Sequence, residues 1–347
     1  MRHRRAWVVQ LTFMTTLASR KIRLVSRRRG WPILENFKTA RVELEPVRDG
    51  EALVRNLFMS VDPYMRGRMY DVPSYVPPFQ LDQALDGGAV EDVVESRASG
   101  LATGDIVVSN RGWRESFVAA SAALQKVDDP ILPVSLYLGV LGMPGLTAWA
   151  GLRIVDVKKQ DRVFISAAAG AVGNVAGQLA KLRGCRVVGS AGSSEKVNAL
   201  VEEFGFDAAF NYKDGDLVGQ LKTAAPDGID VYFDLVGGEQ LEAALSSLRQ
   251  HGRIIACGAI SQYNEERAPP GPRNLGLMIG TRLTMKGLIA SDWLGSVPEF
   301  RKEVGRHVRD QSLKTRETVL IGIEMASKAF LDMMHGTNIG KMLVELD

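Results

Sequence analysis

The apolar positions of this chain follow two different patterns in its two halves. Between about residues 19 and 127, short runs rich in β-branched residues alternate with turn signals such as Asp49-Gly50 and Thr103-Gly104-Asp105. Short strands at this spacing are typical of an antiparallel, barrel-like domain. The strands predicted there include 40–47, 51–61, 89–95, 105–109 and 115–119.

From about Arg162 onward, the pattern changes to a strand followed by a helix, repeated several times. Helices are predicted at 172–182 and 194–204, among others, and the alternation predicts a parallel sheet with helices on both faces. The tail predicts a helix at 323–334 and a strand at 336–346 that returns to the first domain. The predicted strands of the parallel sheet are 162–168, 186–190, 208–212, 230–236, 253–257 and 283–289, with a long Pro- and Gly-rich loop at 259–274.

The first strand of the parallel sheet ends in a small-residue turn that predicts a dinucleotide site. The spacing Ala168-x-Gly170-x-x-Gly173 is the dinucleotide fingerprint with alanine in place of the first glycine. Gly170 lets the backbone approach a pyrophosphate, Gly173 lets the helix pack on its strand, and the phosphates bind N–H groups at the helix start. A helix-starting turn without a ligand is the alternative, and the strand–turn–helix units that follow weigh against it.

The end of the second parallel strand predicts which dinucleotide is bound. An Asp or Glu there would bind the ribose 2′-hydroxyl of NAD, but the chain has Ala191-Gly192-Ser193-Ser194 and then Lys196. A small polar pocket with Ser193 and a lysine suits a 2′-phosphate, so the sequence predicts NADPH. Tyr212, after the third strand, is predicted to cover the adenine end and to reach a phosphate, with core packing as the alternative.

Composition and charge narrow the class of protein. The 347 residues favour about two domains, and 46% apolar with 24% charged residues is ordinary for a globular protein. A net charge of +3 gives no indication of a nucleic-acid partner or of a membrane partner. Cys185 and Cys257 fit a reducing compartment. The basic start, Arg2 to Arg5, is interpreted as a disordered or misassigned leader, with Met14 as a second possible start.

The polar residues restrict the chemistry that the chain supports. None of its four histidines lies at metal-ligand spacing from Cys, Asp or Glu, and no Gly-x-Ser-x-Gly motif is present. Tyr263 follows the fifth parallel strand, and Tyr64 lies in the run 62–67. A tyrosine hydroxyl can donate to a carbonyl oxygen and stabilise an enolate, or it can belong to a packed ring with a backbone partner. Asp234, after the fourth strand, is interpreted as a structural cap of the next helix.

Seven segments together resemble one family. The chain is similar to the zinc-independent medium-chain reductases, in the branch of the prostaglandin reductases, the alkenal double-bond reductases and the curcumin reductases. The similarity covers nearly the whole chain from about Leu17 onward, in the family's order. The segments are DPYMRGRM at 62–69, LGVLGMPGLTAW at 138–149, AAAGAVG at 167–173, SAGSSEK at 190–196, NYK at 211–213, CGAISQYN at 257–264 and NIGK at 338–341.

The resemblance implies an α/β fold with a GroES-like β-barrel domain and a Rossmann domain whose parallel sheet is doubly wound. The predicted division is a disordered leader at 1–17, a substrate domain at 18–138 and 317–347, and an NADPH-binding domain at 139–316. The implied activity is the NADPH-dependent reduction of the carbon–carbon double bond of α,β-unsaturated ketones and aldehydes. A cytoplasmic homodimer is also implied.

The resemblance assigns roles to individual residues. Lys196 and Tyr212 match 2′-phosphate contacts, and Tyr263 and Tyr64 match tyrosines that line the substrate pocket. The remaining predicted cofactor contacts are Ala169, Gly170, Val172 and Gly173 at the pyrophosphate, Met143, Thr147 and Asn338 at the nicotinamide end, and Cys257, Ala259 and Ile260 in the loop before Tyr263.

The chain also departs from the family. Leu235 replaces an asparagine, Trp149 is expected to narrow the pocket, and Asp86, Glu91 and Asp92 put charge around Gly87-Gly88. Two alternatives therefore stay open: an NADPH-dependent quinone reductase, and an NADPH-binding sensor or structural protein without turnover.

Overall fold

Two large β-sheets of different kinds carry the fold. The structure, a computed structural model, describes residues 17–127, 132–267 and 269–346. The predicted leader lies outside the described residues except for Leu17, whose carbonyl accepts the N–H of Leu44 at 2.8 Å. Met14 is likewise outside them. No helix in the described part of the chain is long and apolar enough to cross a membrane.

The first sheet has seven strands and is mostly antiparallel. Its order is β14-β15-β3-β4-β5-β7, with β6 also on β3, while β1 and β2 form a separate pair. Two register shifts along β3 and β4 bend these strands, as β-bulges do. The strands are β1 (Ala18–Leu24), β2 (Phe37–Glu43), β3 (Glu51–Ser60), β4 (Ala89–Ser96), β5 (Ile106–Ser109), β6 (Ser116–Ala120), β7 (Gln125–Lys126), β14 (Glu317–Ile321) and β15 (Lys341–Glu345).

The second sheet has six strands, all parallel, in the order β10-β9-β8-β11-β12-β13. Its strands are β8 (Arg162–Ile165), β9 (Arg186–Ala191), β10 (Ala208–Asn211), β11 (Ile229–Asp234), β12 (Leu248–Ala256) and β13 (Thr284–Gly287). The helices of the chain are α1 (Met65–Arg68), α2 (Met143–Ile154), α3 (Ala171–Leu182), α4 (Ser194–Asn198), α5 (Leu217–Ala224), α6 (Gly238–Ser247), α7 (Leu277–Thr281), α8 (Val297–Arg309) and α9 (Ala326–Met334).

Side chains of neighbouring parallel strands alternate between two apolar cores. Val163 and Phe233 belong to the core that includes residues of α2, α3 and α8, whereas Phe164 and Tyr232 belong to the core that includes residues of α5 and α6. Both faces of the sheet are therefore covered, as all-parallel sheets require. The predicted α/β class, with a barrel-like antiparallel part and a doubly wound parallel sheet, is confirmed.

The tail joins the two parts of the molecule. β15 pairs antiparallel with β3, so the prediction that the tail returns to the first domain is confirmed. Just before β15, the N–H of Gly340 donates to the carbonyl of Ala169 at 2.8 Å, within the predicted phosphate turn. The division of the chain into domains at 138/139 and 316/317 stays a prediction.

Several predicted boundaries were wrong for local reasons. The strand at 40–47 is Phe37–Glu43, because it pairs residue by residue with β1. The strand at 162–168 ends at Ile165, before Ala167 turns the chain with a φ of 46°. The strand at 336–346 is only Lys341–Glu345, because Gly336 and Gly340 have φ values of 69° and 70°.

Candidate functional site

A cavity of about 1890 Å³ opens along the carboxyl ends of the parallel strands. Residues that follow each of β8 to β13 line it, and residues 61–64, 338 and 340–342 line it from the side of the seven-stranded sheet. Ligands of open α/β sheets bind at this edge. The predicted site residues that line the cavity are Tyr64, Met143, Thr147, Ala169, Gly170, Val172, Gly173, Lys196, Tyr212, Cys257, Ile260, Tyr263 and Asn338.

Two predicted cofactor residues do not border the cavity and act on neighbours instead. The Ser193 hydroxyl caps α4 by accepting the N–H of Lys196 at 3.3 Å. The N–H of Ala259 donates to the hydroxyl of Tyr263 at 3.4 Å. Their direct contact with a cofactor stays a prediction.

The phosphate turn, residues 167–173, is shaped for close backbone approach. No side chain caps α3 at Gly170, so the first N–H groups of the helix are left for a ligand. A Cβ on Gly173 would lie 2.6 Å from the oxygen of Ala167 and 2.7 Å from the Cα of Ala168. Only glycine lets the helix start this close to the turn. The turn fits a pyrophosphate.

Two lysines converge at the far end of the cavity. The Nζ of Lys196 donates to the carbonyl of Gly336 at 2.7 Å, and Lys213 lines the same wall. Burial lowers the pKa of Lys196, and the positive charge of Lys213 lowers it further. A Cβ on Gly192 would lie 3.2 Å from the hydroxyl of Tyr212 and 3.3 Å from the Cε of Lys213. A bound phosphate would offset the repulsion between the lysines, so this end fits the 2′-phosphate of NADPH.

Lys213 was missed by the sequence reasoning as a site residue. The signal was present, because Lys213 is the last residue of the segment NYK at 211–213 and directly follows Tyr212. In the structure, Tyr212–Asp214 form a 3₁₀ turn that presents both side chains to the cavity.

Tyr263 is placed to donate a hydrogen bond into the cavity. Its hydroxyl accepts the N–H of Ala259, so the hydroxyl proton is not used by that contact. Burial raises the pKa of Tyr263, which keeps the phenol protonated. The pKa of Tyr64 is also raised, first by burial and then by the charge of Asp62. Tyr75, which the sequence reasoning missed, lines the cavity as well.

Polar contacts within the protein fix the cavity wall formed by α2 and by the residues just before and in β15. The hydroxyl of Thr147 donates to the carbonyl of Met143 at 2.7 Å, and the Asn338 amide donates to the carbonyl of Gly340 at 2.8 Å. Lys341, another missed residue, is buried, with its Nζ 2.9 Å from an oxygen of Asp62. These contacts fix the side chains that would face the nicotinamide end.

The three departures from the family have different outcomes. Leu235 lines the cavity. The expectation that Trp149 narrows the pocket was wrong, because this indole is buried and donates to Glu303 at 2.8 Å. Asp86 lines the cavity and forms ion pairs with Arg68 at 3.7 Å and with Arg114 at 3.2 Å.

The other two acidic residues near Gly87-Gly88 do not line the cavity. Glu91 is buried and accepts a hydrogen bond from Ser109, while Asp92 forms an ion pair with Arg55 at 2.8 Å. Both carboxyl groups therefore have their partners within the first sheet.

Asp234 is structural, but the prediction that it caps the next helix was wrong, because the N-cap residue of α6 is Gly237, which has no side-chain cap. One of its carboxyl oxygens accepts the N–H groups of Val236 at 3.0 Å and of Gly237 at 2.7 Å. These bonds fix the turn that leads into α6. Within residues 17–127, 132–267 and 269–346, no group of three or more His, Cys, Asp or Glu could hold a metal ion.

Comparisons with known proteins match both halves of the chain. Residues 20–127 match a family model described as the N-terminal domain of oxidoreductase, and residues 171–306 match one described as zinc-binding dehydrogenase. The chain is 44% identical to a putative NADP-dependent oxidoreductase, YfmJ, of Bacillus subtilis over 95% of this chain and 98% of that protein. It is 42% identical to the NADP(+)-dependent 2-alkenal reductase of Nicotiana tabacum over 89% of this chain and 91% of that protein.

A solved structure supports the same relationship. The crystal structure of CurA in complex with NADPH from Vibrio vulnificus superposes with a TM-score of 0.89 at 36% sequence identity. The match covers 94% of this chain and 99% of CurA.

Proposed function

Because the chain belongs to the zinc-independent medium-chain reductases, in the branch of the prostaglandin, alkenal and curcumin reductases, we propose that it reduces the carbon–carbon double bond of α,β-unsaturated ketones and aldehydes with NADPH. The observation that carries this proposal is the Tyr263 hydroxyl, which lines the cavity with its proton free to donate. Tyr263 lies on the loop after β12, at the sheet edge where a nicotinamide ring binds.

Different residues of the cavity bind different parts of the cofactor. The phosphate turn and the N–H groups that begin α3 hold the pyrophosphate, and Lys196, Tyr212 and Lys213 hold the 2′-phosphate. When bound, NADPH supplies the hydride that reduces the β-carbon of the acceptor.

Tyr263 acts on the carbonyl end of the acceptor. Its hydroxyl donates a hydrogen bond to the carbonyl oxygen, and this bond strengthens as negative charge develops on that oxygen. Because burial raises the pKa of Tyr263, the phenol stays protonated and keeps this role. The α-carbon then takes a proton from water or from a tyrosine, and Tyr64, which also lines the cavity, is the candidate that the sequence predicted.

An NADPH-oxidation screen over alkenals, long-chain enones and quinones tests the proposal. We expect turnover with alkenals and enones, and about a tenfold to 150-fold lower kcat for Tyr263→Phe, because one hydrogen bond to a developing charge contributes about 1.5–3 kcal/mol. Tyr212→Phe is the matched comparison, since it removes a hydroxyl at the phosphate end and should raise the NADPH KM instead. Turnover with quinones alone would favour a quinone reductase. Tight NADPH binding without turnover would favour a sensor.

We propose further that the protein is a homodimer. β13 is one of the two edge strands of the parallel sheet, and its four residues are exposed. Beside it, Ile279 is 83% exposed on α7. An exposed strand edge next to apolar side chains favours pairing with a second copy. Ile279→Glu should shift the mass in light scattering from dimer to monomer, whereas Leu34→Glu, at an exposed leucine elsewhere, should not.

We also propose that the protein acts in the cytoplasm. Both cysteines, Cys185 and Cys257, are free thiols, which suits a reducing compartment that also supplies NADPH. Cell fractionation tests this location, and recovery of the protein in an exported fraction would contradict it.

A further inference from the structure

Arg66 is a fully buried arginine without an ionic partner. Its exposure is 0%, and it takes part in none of the ion pairs between the described residues. Its Nη1 also has no hydrogen-bond partner within the described part of the chain. A buried charge without a counter-charge is costly, so stability alone does not account for an arginine at this position.

The contacts of Arg66 connect the first part of the chain to the loop that carries Tyr263. Its Nη2 donates to the carbonyl of Gly30 at 2.6 Å, and its Nε donates to the side-chain oxygen of Asn264 at 2.8 Å. Its guanidinium also lies 4.0 Å from the ring centre of Tyr70 and donates to the Tyr70 hydroxyl. Asn264 directly follows Tyr263, so Arg66 holds the residue next to the proposed hydrogen-bond donor.

Tyr70 makes the second connection. Its hydroxyl donates to the backbone carbonyl of Tyr263 at 3.1 Å. The hydrogen bond within the 3₁₀ turn, from the N–H of Tyr263 to the carbonyl of Ile260, is longer, at 3.4 Å. The backbone of Tyr263 therefore depends on the Arg66–Tyr70 pair as well as on its own 3₁₀ turn.

We infer that Arg66 and Tyr70 are positioning residues that hold Tyr263 from the α1 side of the cavity, an inference that rests on the proposed function of Tyr263. Neither of the two lines the cavity, so neither is expected to touch the acceptor. Their effect on the reaction comes through the placement of the Tyr263 hydroxyl, because small misplacements of a catalytic group lower the rate strongly. A charged donor suits this task, since charge-assisted hydrogen bonds are the stronger ones.

A double-mutant cycle with Tyr70→Phe and Tyr263→Phe tests the inference. Tyr70→Phe keeps the ring on Arg66 and removes only the hydroxyl. We expect about a tenfold lower kcat, with the NADPH KM unchanged. In the Tyr263→Phe background the same change should have almost no further effect on kcat, because Tyr70 acts through Tyr263.

Arg66→Lys is the second variant, and Arg27→Lys is its matched control. Arg27 also donates to backbone carbonyls, those of Met69 and Phe79, but it does not contact the Tyr263 loop. We expect Arg66→Lys to lower kcat by at least as much as Tyr70→Phe, and Arg27→Lys to leave it unchanged. Equal losses for both arginine variants would overturn the inference.

Amide hydrogen exchange over residues 258–265 gives a readout that does not depend on turnover. We expect faster exchange there in Tyr70→Phe and Arg66→Lys, and wild-type exchange in Arg27→Lys. Unchanged exchange in the first two variants, or additive kcat losses in the double mutant, would overturn the inference. If Tyr263→Phe itself leaves kcat unchanged while exchange is accelerated, the proposed role of Tyr263 fails and the positioning contacts stand.

Discussion

Replacing Lys196 by methionine tests how the cavity distinguishes NADPH from NADH. The substitution keeps the apolar stem and removes the charge that we assign to the 2′-phosphate. In the free protein the Nζ of Lys196 donates to the carbonyl of Gly336 at 2.7 Å. An ammonium group has three donors, so two remain for a phosphate without loss of this bond.

The magnitude follows from one lost charge-assisted contact. Such a contact contributes about 1.5–3 kcal/mol, which corresponds to about tenfold to 150-fold in Kd. Because we assign the same phosphate to Lys213 as well, the loss of NADPH affinity in Lys196→Met should lie near the lower limit. The double variant with Lys213→Met should lose more affinity than either single variant. Binding of the phosphate should also raise the pKa of Lys196, which burial and Lys213 lower in the free protein.

Fluorescence titration of NADPH and NADH against each variant provides the assay. We expect Lys196→Met to weaken NADPH binding and to leave the Kd of NADH almost unchanged. Lys222→Met is the control, because Lys222 is exposed on α5 and does not line the cavity. An equal loss of affinity for both cofactors would refute the assignment of Lys196 to the 2′-phosphate.

Three further predictions concern the turn, a buried acid and a buried indole. Gly173→Ala adds a Cβ 2.6 Å from a backbone oxygen of the phosphate turn, so it should lower the free energy of unfolding by about 1–3 kcal/mol and weaken NADPH binding. Gly280→Ala is the control, because its Cβ would have nothing within 4 Å, and it should cause neither loss. Thermal unfolding and NADPH titration measure the two effects. Burial raises the pKa of Glu91 from 4.5 to about 8. Between these two pH values the Glu91 carboxyl is protonated in the folded chain and ionised in the unfolded chain. The free energy of unfolding should therefore fall by about 1.4 kcal/mol per pH unit as pH rises through the window, and Glu91→Gln should remove that slope in urea unfolding; identical slopes would contradict the assignment. Trp149→Phe removes the hydrogen bond to Glu303 and should lower Tm without changing the KM of the acceptor. A changed KM would contradict our conclusion that the indole lies outside the pocket.

The parts of the fold that depend on local pattern were predictable from the sequence. Most of the parallel strands contain a short apolar run followed by small or polar residues, so the alternation of strands and helices predicted a parallel sheet with helices on both faces. The spacing of the small residues predicted the phosphate turn, and the lack of an acidic residue after the second strand, together with Lys196, predicted NADPH. Strand ends were less predictable, because the end at Ile165 depends on the positive φ of Ala167.

The parts that depend on distant segments were not predictable. The direction of Trp149 depends on its partner Glu303, which is far away along the chain on α8. Likewise, the connection between Arg66 and Asn264 joins residues 198 positions apart, and no local pattern records it. Such contacts come from the packing of elements and require the folded structure.

Transfer of deuterium from NADPH labelled at the transferred position of C4 tests the central claim most directly. The product of an enone, analysed by NMR, shows which carbon received the label. We predict a saturated ketone with deuterium on the β-carbon and a solvent-derived hydrogen on the α-carbon. Deuterium on the carbonyl carbon of an alcohol, or no transfer to any enone or enal, would contradict it.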